Sequence, residues 1–245
     1  MLSLPRAVAP KRVPRDRRIV RTFALYNEEV ARQANRSGTK TRSTIVRAAA
    51  DLASAEGLDG LSIGRLASEL DMSKSGLIAH FGSKQDLQLA AIEEARQRYV
   101  QEVIAPALAV GSGITRLHAL CEAFLCYIER RVFPGGCFFA AAMAEFDAKP
   151  PGPVRDRIAE CQQKWMSTLE RAGQEAQARE QLPFGSDPQQ LAFELEGALL
   201  TANWYFHLYA DPAYLGRARL AVHARLASEA TPAGRHALQA SLADR

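Results

Sequence analysis

Met72-Ser73-Lys74-Ser75-Gly76-Leu77-Ile78-Ala79-His80-Phe81-Gly82-Ser83-Lys84 reads as a very short helix, a turn, and the start of a longer helix. Ser73 is placed to cap the short helix by accepting from its first free backbone N–H groups. Leu77 and Phe81, four residues apart, share a face that can anchor it to a small core. Lys74, Ser75, Gly76 and His80 are left facing outward, a set suited to DNA contact rather than catalysis. Ser83-Lys84-Gln85-Asp86 fits the S-x-x-[DE] signature of the next helix start. Just upstream, Ser62-Ile63-Gly64-Arg65-Leu66-Ala67-Ser68-Glu69-Leu70 has apolar residues at 63, 66, 67 and 70, one helical face with Ser62 as cap. Leu70-Asp71-Met72-Ser73 leaves room only for a tight turn, so the two helices cross steeply as a helix-turn-helix. Asp71 stands where a turn glycine is usual, and Asp tolerates left-handed backbone better than most residues.

The charge distribution agrees. Residues 1–84 carry 15 Lys/Arg against 8 Asp/Glu, whereas residues 85–245 carry 16 against 19, within a net charge of +4. Positive charge concentrated around the helix-turn-helix suits phosphate binding, and no basic amphipathic helix points to a membrane surface. At 245 residues, with 47% hydrophobic and 24% charged content, the chain can bury a sizeable core. No apolar run approaches the ~18 residues of a bilayer span. Met1–Pro14, broken by prolines and charges, lacks a signal-peptide core, so a cytoplasmic location is expected.

Residues 1–38 read as a basic arm, with Lys11, Arg12, Arg15, Arg17, Arg18 and Arg21 among prolines; such arms lie in minor grooves or along phosphates, or remain solvated tails. From Thr41 to Glu56, Ile45, Ala48, Ala49, Leu52 and Ala53 share a helical face, and Gly57 is a natural stop. The residues Ile45-Val46-Arg47-Ala48-Ala49-Ala50-Asp51-Leu52-Ala53, Gly57, Leu61-Ser62-Ile63, Leu66-Ala67, Ser73–Leu77 and His80–Lys84 together resemble the DNA-binding domain of TetR-family transcriptional repressors, over about residues 40–90. The resemblance implies an all-α homodimer with a helix-turn-helix domain at 39–85 and a helical ligand-binding and dimerisation domain at 86–245. It also implies phosphate contacts by His80 and Lys84. Ile78 departs from the family, which often has a phosphate-touching Tyr there. The candidate DNA-contacting set is Arg42, Ser62, Ser73, Lys74, Ser75, Gly76, Ile78, His80 and Lys84. Lys74 and Ser75 can reach base edges or phosphates, while Arg42, Ser62, His80 and Lys84 fix register on phosphates.

The body reads as helices over 87–103 (stopped near Pro106), 117–132, 137–146, 154–179, 189–209 and 213–230, with no strand-period segment and no internal repeat. Phe133-Pro134-Gly135-Gly136-Cys137-Phe138-Phe139 and Pro153-Val154-Arg155-Asp156 resemble one TetR-family C-terminal subgroup. Phe124, Phe138, Phe139, Met143, Trp165 and Trp204, with Phe206, can line an apolar cavity, or be plain core. Few charges interrupt these faces, so a small hydrophobic effector is expected. Leu191, Leu195, Leu199, Leu215, Val222 and Leu226 are candidates for the dimer interface, which in the family is a four-helix bundle; the alternative is intrachain core.

Two other chemistries compete with DNA reading by this head and ligand binding by this body. Gly60-Leu61-Ser62-Ile63-Gly64 matches the G-x-S-x-G nucleophile elbow of serine hydrolases. The segment before it is an Ala-rich helix rather than a strand, so Ser62 reads as a cap and no enzyme is expected. Cys121, Cys126, Cys137 and Cys161 show no metal spacing and read as small buried hydrophobes. Redox sensing through Cys137 or the Cys121/Cys126 pair is the alternative. The histidines are scattered, and neither a metal nor a cofactor is expected. The expected partners are an operator duplex, a second copy of the chain, and the effector.

Overall fold

The computed structural model describes residues 41–243, with side chains through residue 240; the expected basic arm at 1–38 lies outside the described residues. The chain divides after Ser43 into two units, of which Thr44–Arg245 is much the larger. The architecture is all-α, with no strand among the described residues.

Residues 41–56 are helical (α1) and bury Ile45, Ala49, Ala50 and Ala53. Gly57 ends α1 with φ 83° and returns its N–H to the Ala53 carbonyl, as expected of a C-terminal glycine. α2 (Ile63–Glu69) and α3 (Lys74–His80) form the helix-turn-helix. The Ser62 side chain caps α2 by accepting from the Arg65 N–H, and Ser73 caps α3 by accepting from Gly76, each at 3.1 Å. Each cap is worth about 1 kcal/mol. The turn passes through Asp71 at φ 51°, the left-handed conformation anticipated there. Leu58, Leu61, Leu66, Leu77, Phe81 and Leu87 are at most 2% exposed and seal this small core.

α4 (Lys84–Tyr99) does not stop before Pro106. It runs through a π-helical turn (Val100–Ile104) into α5 (Ala105–Ala109). Proline removes one backbone donor and crowds the carbonyl four residues back. The wider turn absorbs this, with the Ala105 N–H reaching the Val100 carbonyl instead. The body continues as α6 (Ile114–Glu129), α7 (Phe138–Phe146), α8 (Pro153–Ala178), α9 (Pro188–Tyr209) and α10 (Ala213–Glu229). A further helix, α11 (Pro232–Ala243), was not anticipated from the sequence. Thr231 Oγ1 caps it, accepting from Gly234 N–H at 3.1 Å, and Leu238 is buried.

Contacts between the body and α1 include an ion pair and a close backbone approach. Arg98 of α4, 12% exposed at its side chain, pairs with Asp51 of α1 at 2.6 Å and with Glu94 at 2.8 Å. Between α6 and α7, Gly135 lies so close to α1 that a Cβ there would sit 1.9 Å from the Ser54 carbonyl oxygen. Its N–H donates to Ser54 Oγ at 3.2 Å. Only glycine fits that approach.

Candidate nucleic-acid interface and cavity

On α3, Ser73, Lys74, Ser75 and Ile78 are exposed, while Gly76 and His80 are half-buried. Ile78, at 48% exposure, is a large apolar side chain presented outward beside polar ones. Lys74 folds back over α2, where Gly64 gives it room: a Cβ at 64 would meet Lys74 Cε at 3.2 Å. A Cβ at Gly76 would press on the capping Ser73 Oγ at 3.1 Å, so this glycine protects the cap. Lys84, at the start of α4, is exposed, and its ammonium donates to the Asp59 carbonyl at 2.6 Å. An ammonium has three N–H groups, so donors remain for a phosphate. Arg42 is exposed, within the unit that ends at Ser43. The chain thus brings Ser62, Ser73, Lys74, Ser75, Gly76, Ile78, His80 and Lys84 into one three-helix head. Arg65, by contrast, is neutralised by Glu56 and Glu69 at 3.1 and 2.9 Å.

A cavity of about 160 Å³ lies in the body. Phe124, Phe139, Met143 and Trp165 line it, as the sequence suggests. Three expected wall residues, Trp204, Phe138 and Phe206, do not. Trp204 is 49% exposed on the outer side of α9. Phe138 is buried but packs against Phe133 and Phe139, with ring centroids 5.8 and 5.4 Å apart. The sequence did not mark as lining Tyr99, Val100 and Ile104, brought in by the end of α4 and the π-turn, nor Gln162, Glu196 and Leu200. Glu196 is a carboxylate on the buried face of α9, 7% exposed. Its oxygens accept from Trp165 Nε1–H at 2.7 Å and Gln162 Nε2–H at 2.9 Å. Burial pushes this carboxyl above its ordinary value, and the two donors pull it back. The signal was present in the sequence: Glu196 and Asn203 interrupt the apolar face of α9 seven residues apart.

Two of the helices that line the cavity also reach the head, at residues 57–59. Glu145, on α7 with Phe139 and Met143, accepts the backbone N–H groups of Leu58 and Asp59, both at 2.7 Å. Gln88, on α4 with Tyr99, donates to the Leu58 carbonyl at 2.8 Å. Lys149 pairs with Asp59 and holds that carboxyl below its ordinary value. Two cavity-lining helices therefore grip one loop, the one that leads into α2.

The expected dimer residues need correcting. Leu191, Leu195, Leu199, Leu215, Val222 and Leu226 are at most 2% exposed within the single chain, hence intrachain core. The same helices leave a different face uncovered: Phe193 at 68%, Trp204 at 49%, Leu208 at 71% and Leu220 at 72% exposure, with Tyr205 and Tyr209 beside them. Gly197 and Gly216 open on empty space.

Neither competing chemistry gains support. Ser62 starts a helix in an all-α head, without the strand a nucleophile elbow needs. Burial raises the Cys121 thiol far above its ordinary value and pushes Cys137 up to about 12, opposing the thiolate that oxidation requires. Cys126 also titrates high, through partial burial and Glu122. Among the described residues no His/Cys/Asp/Glu group has metal-binding geometry.

Comparison with known proteins gives matches to two family descriptions. "Bacterial regulatory proteins, tetR family" matches residues 45–91, and "Tetracyclin repressor-like, C-terminal domain" matches residues 113–222. No curated protein matches the chain. Similar solved structures include a TetR transcriptional regulator from Chloroflexus aurantiacus J-10-FL. It is 24% identical, with 80% of this chain and 98% of that one covered at a TM-score of 0.74. A TetR-family regulator from Cytophaga hutchinsonii is 18% identical, covering 80% and 97%, TM-score 0.71. AibR in complex with isovaleryl coenzyme A and operator DNA is 21% identical, covering 77% and 97%, TM-score 0.59.

Proposed function

The chain belongs to the TetR family of bacterial transcriptional regulators, DNA-binding proteins rather than enzymes, and from that premise we propose that it is a homodimeric repressor released from its operator by a small, largely apolar ligand. The head at 39–85 reads DNA and the body at 86–245 holds the ligand and the second subunit. Each α3 enters a major groove, Lys74, Ser75 and Ile78 facing base edges, while Ser62, His80 and Lys84 meet phosphates. Ile78 replaces a phosphate contact with an apolar one, suited to a thymine methyl group. AibR, of the same fold, is in complex with isovaleryl coenzyme A and operator DNA, which supports a DNA-binding head joined to a ligand-binding body here.

The observation that carries this reading is the double grip on residues 57–59. Glu145 and Gln88 sit on helices that also line the cavity, so a ligand that re-spaces α4 and α7 must move the loop leading into α2. A ligand preferring one spacing lowers DNA affinity by reciprocal linkage, and ~3 kcal/mol of coupling gives about a hundredfold release. Pairing of subunits through Phe193, Trp204, Leu208 and Leu220 is supported by their exposure on adjoining helices, since patches of this kind mark interaction sites.

Selection of bound sequences from random duplex DNA tests the reading, with sedimentation of the free protein beside it. The expected result is an inverted repeat bound by a dimer, and a monomer with no DNA enrichment for Leu208→Asp/Leu220→Asp. A wild-type protein that enriches no duplex at low ionic strength would overturn it.

A further inference from the structure

The effector reading leaves the ligand's chemistry open, and Glu196 narrows it. A carboxylate at 7% exposure is costly unless its charge is compensated. Its hydrogen-bond partners, Trp165 Nε1 and Gln162 Nε2, are both neutral. Among the described residues no Lys, Arg or His lies within ion-pair distance of it. An ionised carboxylate offers about four acceptor positions, so two remain unused. The cavity beside it is walled by aromatic rings: Tyr99 stands edge-on to Trp165, Phe139 and Phe124, with centroids 5.4, 5.9 and 6.4 Å apart. Ring faces attract cations, and more strongly when water is excluded.

Size and surroundings set the remaining limits. At about 160 Å³ the cavity is close to the ~150 Å³ that accepts benzene in another protein, so one ring or a short branched chain fits. Of the bases in the lining, Arg96 pairs with Glu93 and Lys164 with Glu160, both at 2.6 Å, and Arg157 bridges the same two carboxylates.

We propose that this cavity binds a compact organic ammonium ion, a protonated primary or secondary amine on a single ring or short branched chain, whose N–H donates to Glu196 while its apolar part lies among Tyr99, Phe124, Phe139 and Trp165. This assignment rests on the effector reading for its consequence at DNA, but not for the binding itself. The ligand supplies the positive charge that the buried carboxylate lacks. A carboxylic acid of the same shape meets like charge, and an alcohol offers one neutral donor.

Three probes of equal size separate these cases: benzylamine, benzyl alcohol and benzoate, titrated calorimetrically into the full chain near neutral pH. Benzylamine is expected to bind at least about tenfold more tightly than the alcohol, in line with hydrogen bonds to charged groups, and benzoate not at all. Glu196→Gln should erase the amine's advantage. Should that variant fail to fold, pH serves instead: on the wild-type chain, benzylamine binding should weaken as the pH rises through the amine's own titration while benzyl alcohol binding stays constant, and an amine affinity that does not change over that range overturns the assignment. Equal binding of amine and alcohol, tighter binding of benzoate, or no binding of any probe overturns the assignment. DNA affinity is followed separately with the same probes. Amine binding through Glu196 that leaves DNA affinity unchanged upholds the ligand class and overturns the effector reading instead.

Discussion

Replacing Glu145 by Ala removes both carboxylate oxygens from the backbone N–H groups of Leu58 and Asp59. Each bond is 2.7 Å long and runs from a backbone N–H to a carboxylate oxygen, a class worth ~1.5–3 kcal/mol net. The side chain is 22% exposed, and Lys149 lies 3.9 Å away, so solvent and the neighbouring cation reduce the loss. About 2–3 kcal/mol remains for the pair, and Glu145→Gln, which keeps one acceptor, should lose roughly half. Amide hydrogen exchange reads this directly, because opening of residues 57–59 exposes those two N–H groups. Protection at 58 and 59 should fall about thirty- to a hundredfold in Glu145→Ala. Amides on the buried face of α9, held by other contacts, should be unaffected. Once an effector is in hand, the same variant should bind it normally yet release DNA about tenfold less strongly. Unchanged protection at 58 and 59, or full ligand-driven release in Glu145→Ala, would refute the idea that α7 communicates with the head through this loop.

Ile78→Ala should relax sequence preference at one base position of each half-site, by about 1 kcal/mol against the thymine-containing sequence, measured by competition among single-base operator variants. Lys84→Ala should weaken binding to every duplex alike and lower the slope of log K against log salt by about one unit; an effect confined to one base would contradict a phosphate role. The Arg96 guanidinium, supported by Arg157, holds the Glu93 carboxyl at about 2 rather than the ordinary 4.5. A depressed carboxylate adds stability above its unfolded value and loses it as pH falls toward about 2. In urea unfolding, Glu93→Gln should therefore be less stable than wild type at neutral pH, and the gap should close through that acid window. A gap that persists at pH ~2 would assign the loss to packing rather than charge.

Much of the head was legible in the sequence because its signals are local. Ser62, Ser73 and Ser83 each cap a helix from within four residues, and Asp71 takes the left-handed turn its side chain tolerates. Periodicity also found α9 and α10 but selected, as candidates for pairing, the face that the chain itself buries. It identifies residues that a helix buries, and here Leu191, Leu195 and Leu199 are buried by the chain's own helices. The uncovered stripe through Phe193, Trp204 and Leu208 lies on the opposite side of a helix that is apolar on both, a case periodicity does not resolve. Pro106 looked like a stop because a π-turn cannot be anticipated from the proline alone. The helix beginning at Thr231-Pro232 had a readable cap and first residue that went unused. Glu145 and Leu58 are 87 residues apart, and nothing in local spacing brings them together. Glu196 could have been noticed as a charge on an apolar face, but Trp165 and Gln162 as its partners required the fold.

Hydroxyl-radical footprinting of the full chain on a selected duplex bears most directly on the central claim, that two copies of α3 enter major grooves of one DNA. The prediction is two protected patches related by two-fold symmetry, their centres ~34–36 Å or a multiple apart, both lost together in Leu208→Asp/Leu220→Asp. A single unpaired patch, or an unprotected duplex at low ionic strength, would contradict it.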